Sequence, residues 1–264
     1  QPGEEGHDGA GAMLAQNMHM VSGEKPIAAY GLHVFSLPEP GIFMTRKDTL
    51  MASAGDMIVK ISGRGGHGSM PWTAQDPITG MIEILSTMQS YIAKNFDALD
   101  PIVVNVGWIK AGDDHTTNIV PETVSFGATV RSFSKKGYAD TREKLPAFIT
   151  KMAESMGLSA EVEFSPATKV LINHHQPVDR VEALTKEMFG AQRYFNMPTP
   201  IPGGEDFASI LEEIPGAFVF LGAAYPGLAP NERESNHSNK AKYNEDVMAD
   251  GAALLAALAF DALG

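Results

Sequence analysis

Residues 57–67 read Met-Ile-Val-Lys-Ile-Ser-Gly-Arg-Gly-Gly-His. Met57, Val59 and Ile61 recur every second residue, the period of a strand with one buried face, and the strand ends where Gly63, Gly65 and Gly66 let the chain turn. Downstream, Ile78, Met81, Ile82, Leu85, Met88 and Ile92 recur at helical spacing, with Asp76-Pro77 at the helix start. Alternation returns at Ile102, Val104, Val106 and Trp108, and again at Val124, Phe126, Ala128 and Val130, after a turn-rich stretch from Gly112 to Pro121. Leu145, Phe148, Ile149, Met152 and Met156 restore helical spacing, with Pro146 expected to kink or shorten that helix. Ala160, Val162 and Phe164 close the series as a strand. The order β-α-β-β-α-β is that of a split βαβ unit, four antiparallel strands with two helices on one face. Residues 53–166 are thus expected to form one domain.

The flanks read differently. Ala10, Met13, Leu14 and Met18 have helix-like spacing, and residues 27–35 (Ile-Ala-Ala-Tyr-Gly-Leu-His-Val-Phe) form an apolar run of the buried-strand kind. A helix is expected around Val181–Phe189, a short one at Phe207–Glu213, a buried strand at Ala217–Gly222 and a terminal helix from about Glu245. Residues 1–52 and 167–264 therefore read as a single α/β domain interrupted by the 53–166 unit.

The 264 residues are 44% hydrophobic and 20% charged, an ordinary globular composition. Twenty basic against thirty-two acidic residues leave a net charge of −12, which argues against a nucleic-acid partner. The chain has no cysteine, so it holds no disulfide, thiolate ligand or cysteine nucleophile. Its longest apolar stretch, Gly251 to Gly264, is too short to span a bilayer, so no membrane partner is expected. No signal peptide is visible before Gln1-Pro2-Gly3-Glu4-Glu5-Gly6, and a cytoplasmic location is expected.

Several polar residues sit where chemistry is possible. Glu4-Glu5 precedes the first helix; two acids there can simply complement a helix dipole, or one can bind a metal while its neighbour acts as a base. His33 ends an apolar strand, where a rim histidine is ordinary but where open α/β sheets also collect ligands. His237 lies in a polar loop, and His67 follows three glycines, presented so that it can donate to a carbonyl or oxyanion. Gly203-Gly204-Glu205-Asp206 is either a turn with an N-cap or backbone lining a cleft. His174-His175 reads as loop, with no acid nearby in sequence.

Taken in order, Gln1-Pro2-Gly3-Glu4-Glu5-Gly6, Gly31-Leu32-His33, residues 63–71 (Gly-Arg-Gly-Gly-His-Gly-Ser-Met-Pro), Asn118-Ile119-Val120-Pro121, Gly203-Gly204-Glu205-Asp206-Phe207 and Asn236-His237-Ser238 resemble the M20 metallopeptidase family. The nearest branch is the amidohydrolases of N-acyl and aryl-conjugated amino acids, such as hippurate and indole-acetyl-amino-acid hydrolases. The resemblance covers essentially the whole chain. It implies an M20-type zinc-peptidase-like catalytic domain with an inserted ferredoxin-like (split βαβ) lid that also mediates homodimerisation.

By that resemblance, Glu4 is the general base, Glu5, His33 and His237 are metal ligands, and His67 on the lid assists at the substrate carbonyl, in dimers that of the partner subunit. Asn118, Gly203 and Gly204 lie near substrate, and Arg131 pairs with a substrate carboxylate. The implied cofactors are two divalent ions (Zn, Mn, Co or Ni), and the implied reaction is hydrolysis of the amide bond of a small N-acyl amino acid by metal-activated water. The family also carries an N-terminal segment, domain-sized at roughly 100–130 residues, whose His-x-Cys-Gly-His-Asp-like stretch supplies a histidine and a bridging cysteine. That stretch is not in this sequence. The resemblance therefore implies an incomplete catalytic domain, and the alternative function is a catalytically impaired, dimerising or ligand-binding remnant.

Overall fold

Alternating side chains decide which face of each strand is buried, and the computed structural model, which describes residues 8–165 and 168–264, follows that alternation. Glu4, Glu5 and the expected domain boundary at 166/167 lie outside the described residues. The strands are β1 (Ala29–Phe35), β2 (Phe43–Thr45), β3 (Asp48–Met51), β4 (Ser53–Ser62), β5 (Gly66–His67), β6 (Ile102–Ala111), β7 (Ile119–Val120), β8 (Thr123–Ser132), β9 (Ser159–Phe164), β10 (Leu171–Asn173), β11 (Tyr194–Asn196) and β12 (Gly216–Gly222).

One sheet has the order β6-β8-β4-β9, antiparallel throughout. Met57, Val59 and Ile61 of β4 and Val124, Phe126, Ala128 and Val130 of β8 turn inward against the helices Pro77–Asn95 and Lys135–Ser155. Ile84, Met88, Leu145 and Ile149 meet them from the helices, and Tyr91 stacks on Phe148 at 4.3 Å between ring centroids. Full burial of such side chains contributes about 1.5–3 kcal/mol each. The first helix starts as Asp76-Pro77 predicts: the Asp76 carboxylate accepts the Ile78 N–H at 2.9 Å, and Pro77 has no N–H to satisfy.

A second, mixed sheet has the order β1-β12-β2-β11. β1 and β12 run parallel from Ala29 opposite Gly216 to Phe35 opposite Gly222. β12 is buried along its whole length. Ala217, Val219 and Leu221 pack against the helices His175–Phe189 and Val247–Leu263. Phe218 and Phe220 face the helix Phe207–Glu213 and the small β10–β3 sheet. Gly31 is required on β1 because a Cβ there would stand 2.6 Å from the Phe218 ring. Among the described residues no helix is long and apolar enough to cross a membrane.

Several expectations need correction. Pro146 does not shorten its helix, which runs from Lys135 to Ser155, opened by Ser134, whose hydroxyl accepts the Gly137 N–H at 2.8 Å. β1 is half-buried rather than buried. His174-His175 is not loop: His174 is an N-cap whose Nδ1 accepts the Gly216 N–H at 3.2 Å, and His175 opens the helix with Nε2 2.8 Å from Asp48 Oδ1. That acid is distant in sequence, so spacing did not show it.

Asn173, 1% exposed, joins β10 to the central strand. Its amide donates to Thr45 Oγ1 and the Arg46 and Phe218 carbonyls at 3.0, 3.0 and 3.2 Å, and accepts the Phe218 N–H at 2.7 Å. Asn173→Ala leaves the Phe218 N–H and the Arg46 carbonyl without this side chain, although Thr45 Oγ1 still donates to the Phe218 carbonyl at 2.7 Å, and is expected to lower unfolding free energy by about 1–3 kcal/mol, read by urea denaturation.

Candidate functional site

Parallel pairing puts the carboxyl ends of β1 and β12 together, and ligands of such sheets gather at those ends. A cleft of about 610 Å³ opens there, between the second sheet and the end of the first, and is lined by His33, Arg131, Gly203, Gly204, Glu205 and His237 among others. Five sequence-predicted positions (His33, Arg131, Gly203, Gly204 and His237) therefore share one cavity.

Two remote segments are joined at the cleft by the Asn236 amide, with the Ser36 hydroxyl donating to the Glu234 carbonyl at 2.6 Å beside it. Asn236 Nδ2 donates to the Val34 carbonyl at 2.6 Å, and its Oδ1 accepts the Ser36 N–H at 2.9 Å and the Ser36 hydroxyl at 3.1 Å. The loop before the last helix is thereby tied, immediately before His237, to the end of the strand carrying His33. The Val34 carbonyl also accepts a hydrogen bond from His33 Nδ1 at 2.8 Å. A carbonyl can only accept, so Nδ1 carries the proton and Nε2 keeps its lone pair. That tautomer is the one a metal-ligating imidazole needs.

The opposite wall uses a close backbone approach. A Cβ on Gly204 would stand 2.3 Å from Thr168 Oγ1 and 2.4 Å from Ala54 Cβ, so only glycine lets this loop rest on the start of β4. Glu205, 5% exposed, receives the Phe207 N–H at 3.1 Å. The fully buried Asp206 receives the Ala10 N–H at 2.9 Å, and Asp8 Oδ1 accepts the Ser209 hydroxyl at 3.0 Å. The start of the described chain is thus fastened beside the 203–206 loop. Arg131 NH1 donates to the Gly55 and Val130 carbonyls at 3.3 and 3.0 Å. Glu212, on the 207–213 helix, meets Lys169 at 2.7 Å and Lys135, at the start of the 135–155 helix, at 3.1 Å. Burial pushes its carboxyl up, but the two ammonium groups outweigh that and hold it below the usual carboxylate range.

His67 and Asn118 do not line this cleft. They stand together on the small β5–β7 pair, where Gly68 N–H donates to the Asn118 carbonyl at 2.7 Å. His67 Nδ1 accepts the Ser69 N–H at 3.2 Å, which leaves Nε2 protonated and outward-donating in the neutral ring. Two further cleft residues were missed in the sequence: Glu205 as a carboxylate of the cavity, and Asn236 as the clamp. Both sit beside residues that sequence did single out, and adjacency was the available signal.

The cleft brings together two imidazoles, one in a ligating tautomer, and a carboxylate, donor types that suit a divalent ion, but the three ligand atoms do not all lie within 4.8 Å of one another. The one trio of His or acidic donors within 4.8 Å of one another among the described residues is elsewhere, at Asp113, Asp114 and His115 on an exposed loop.

Peptidase family M20/M25/M40 matches residues 1–261. IAA-amino acid hydrolase ILR1-like 4 of Arabidopsis thaliana is 30% identical over 98% of this chain and 58% of its own length. Hippurate hydrolase of Campylobacter jejuni is 28% identical over 98% of this chain and 65% of its own. The chain thus spans less than two thirds of these relatives. Among solved structures, a protein from methicillin-resistant Staphylococcus aureus superposes with a TM-score of 0.87 at 22% identity, over 100% of this chain and 66% of that one. A dinuclear metal-binding M20 peptidase from Bacillus subtilis gives 0.72 at 23% identity, over 94% of this chain and 59% of that one. These solved structures share the fold.

Asn236→Ala removes the clamp between β1 and the histidine loop. Amide exchange at Ser36 and across residues 234–238 is expected to quicken about tenfold or more, the effect of losing about 1.4 kcal/mol, while β12 amides keep their protection. Unchanged exchange at Ser36 would show that the loop is held by other contacts.

Proposed function

This chain belongs to the M20/M25/M40 peptidase family, and from that premise we propose that it hydrolyses the amide bond of small N-acyl or aryl-conjugated amino acids with the aid of divalent metal ions. The observation that carries the reading is the convergence of His33 and His237 on one cleft with Arg131 on its opposite wall. The hydrolase relatives named above act on amino-acid conjugates, which is the substrate class that a cleft with one arginine and two imidazoles suits.

In this proposal Glu5, His33 and His237 hold the metal ions. When bound, such ions polarise a carbonyl and lower the pKa of water. Glu4 takes the proton of the attacking water and returns it to the departing amine nitrogen, the work of a general base that then becomes a general acid. Arg131 pairs with the substrate α-carboxylate, since its guanidinium is held by two backbone carbonyls and keeps further N–H groups for a ligand. Gly203 and Gly204 present backbone to the substrate. Residues 53–166 act as a lid and dimerisation domain, and His67, with Asn118 beside it, serves the cleft of a second copy by donating Nε2–H to the carbonyl oxygen as it gains negative charge.

Purified protein supplied with Zn²⁺, Mn²⁺ or Co²⁺ is expected to release amino acid from hippurate, acetyl-amino acids or indole-acetyl-amino acids, and to lose that activity with a chelator. Glu4→Gln is expected to lower kcat by about 10²–10⁴-fold. No metal-dependent turnover of any of the three substrates would refute the hydrolase reading. Arg131→Ala is expected to raise KM about tenfold or more for substrates with a free carboxylate and to leave the corresponding carboxamides unaffected, the signature of a lost charge-assisted pair. Light scattering is expected to give a dimer, and a monomer would remove His67 from the reaction.

A further inference from the structure

The sheet β6-β8-β4-β9 has its helices on one face, and a second cleft of about 660 Å³ lies along the other, away from the candidate active site. A β-bulge builds it. Val106 pairs with Ala128 but Trp108 pairs with Gly127, so Gly107 is an extra residue in β6. Before the bulge, Val104 and Val106 point into the core. After it, Trp108 and Lys110 share the outer face with Ile58, Lys60 and Ser125.

Two rows result. In the first, Ile58 and Trp108 flank Gly127, and the indole lies where a Gly127 Cβ would be, with Nε1 2.2 Å from that position. The glycine therefore makes room for the ring, which remains 47% exposed. In the second row, Lys60 and Lys110 flank Ser125 from the strands on either side. Two strand spacings separate their backbones by about 10 Å, and adjacent same-face rows are about 7 Å apart. Lys60 forms a long ion pair with Glu161, its neighbour on β9, at 3.9 Å, and Glu163 stands beside Ile58 on the same strand; Lys110, on the far side of Ser125, has no salt bridge among the described residues. The acid that lines the cleft, Asp113, accepts the His115 N–H at 2.8 Å within its own loop. A protein of net charge −12 here sets two ammonium groups and a hydroxyl beside an open aromatic face.

We infer that this face is a binding site for a planar apolar carboxylate: the ring stacks on Trp108 against Ile58, and the anionic group reaches Lys60, Lys110 and the Ser125 hydroxyl. A stacked ring and a charge-assisted pair are both favourable where apolar walls displace water. The site does not depend on the hydrolytic reading of the first cleft, because it uses none of its residues.

The test uses naphthalene-2-carboxylate as the probe. Trp72 and Trp108 are the two tryptophans, so a Trp72→Phe background makes fluorescence report on Trp108 alone. Saturable quenching is expected, with affinity falling at least tenfold in the Lys60→Gln/Lys110→Gln double variant and at least tenfold for the neutral analogue 2-acetylnaphthalene. Calorimetry on Trp108→Leu is expected to show the same loss with the far-ultraviolet spectrum unchanged, and His33→Ala is expected to bind the probe as the parent does. Equal binding of the neutral analogue, undiminished affinity in the lysine variant, or loss of binding in His33→Ala would each overturn the proposal.

Discussion

One carbonyl, that of Val34, sets the geometry on which the candidate site depends. It accepts from the His33 ring and from the Asn236 amide, so one oxygen both selects the tautomer of one histidine and anchors the loop bearing the other. β-Strand pairing alone does not supply this. β1 is held by β12 along its length, but the ladder ends at Phe35, and the link from there to the 234–237 loop is made by the Asn236 and Ser36 side chains. A half-buried carbonyl with two donors is satisfied at both lone pairs, and removing either donor leaves an acceptor short of a partner.

His33 and His67 are set in opposite senses. His33 donates through Nδ1 and keeps a lone pair on Nε2; His67 accepts at Nδ1 from Ser69 and keeps a proton on Nε2. The first is a ligand in character and the second a hydrogen-bond donor. The division of labour follows from which backbone group, a carbonyl or an N–H, happens to face each Nδ1.

Much of the fold was legible because its long elements are periodic. The 77–95 helix starts at the Asp76-Pro77 pair, and the 207–213 helix has the expected limits. β2, β3, β10 and β11 were invisible because three or four residues carry no period, and their pairing is set by partners far along the chain. Pro146 was misjudged because a proline removes one helical hydrogen bond, whereas burial of Leu145 and Ile149 against the sheet holds both sides of the break. At the site, sequence order singled out His33, Arg131, Gly203, Gly204 and His237, which do share a cleft. The resemblance had already put His67 on the lid, reaching a partner's site in dimers, but motif order carries no distance and gave no sign that Asn118 stands apart from the cleft with it. Nor did it show the pairing of His175 with Asp48, made only when β3 reaches the 175–189 helix.

The bulge at Gly107 has a wider consequence than the turning of one ring. In a strand, parity is fixed by the first residue, so without an insertion Trp108 would have followed Val104 and Val106 into the core. There an indole would need space now filled by Phe126 and the helices, and its N–H would need a buried acceptor. The insertion instead sends Ile109 to the Phe126 side and Trp108 outward, leaving Ile109 55% exposed at the edge. Exposing both large side chains is unfavourable for folding alone, and a continuous alternation would have avoided it. The uncovered face is also the one that reaches Asp56 and Arg131 at the first cleft. On this surface Lys60 and Lys110 lie at one end and Arg131 at the other, with Asp56, Glu161 and Glu163 among them, so the exposed Trp108 and Ile58 are bordered by charges of both signs, which is reason to regard their apolar exposure as a recognition feature rather than as incomplete packing.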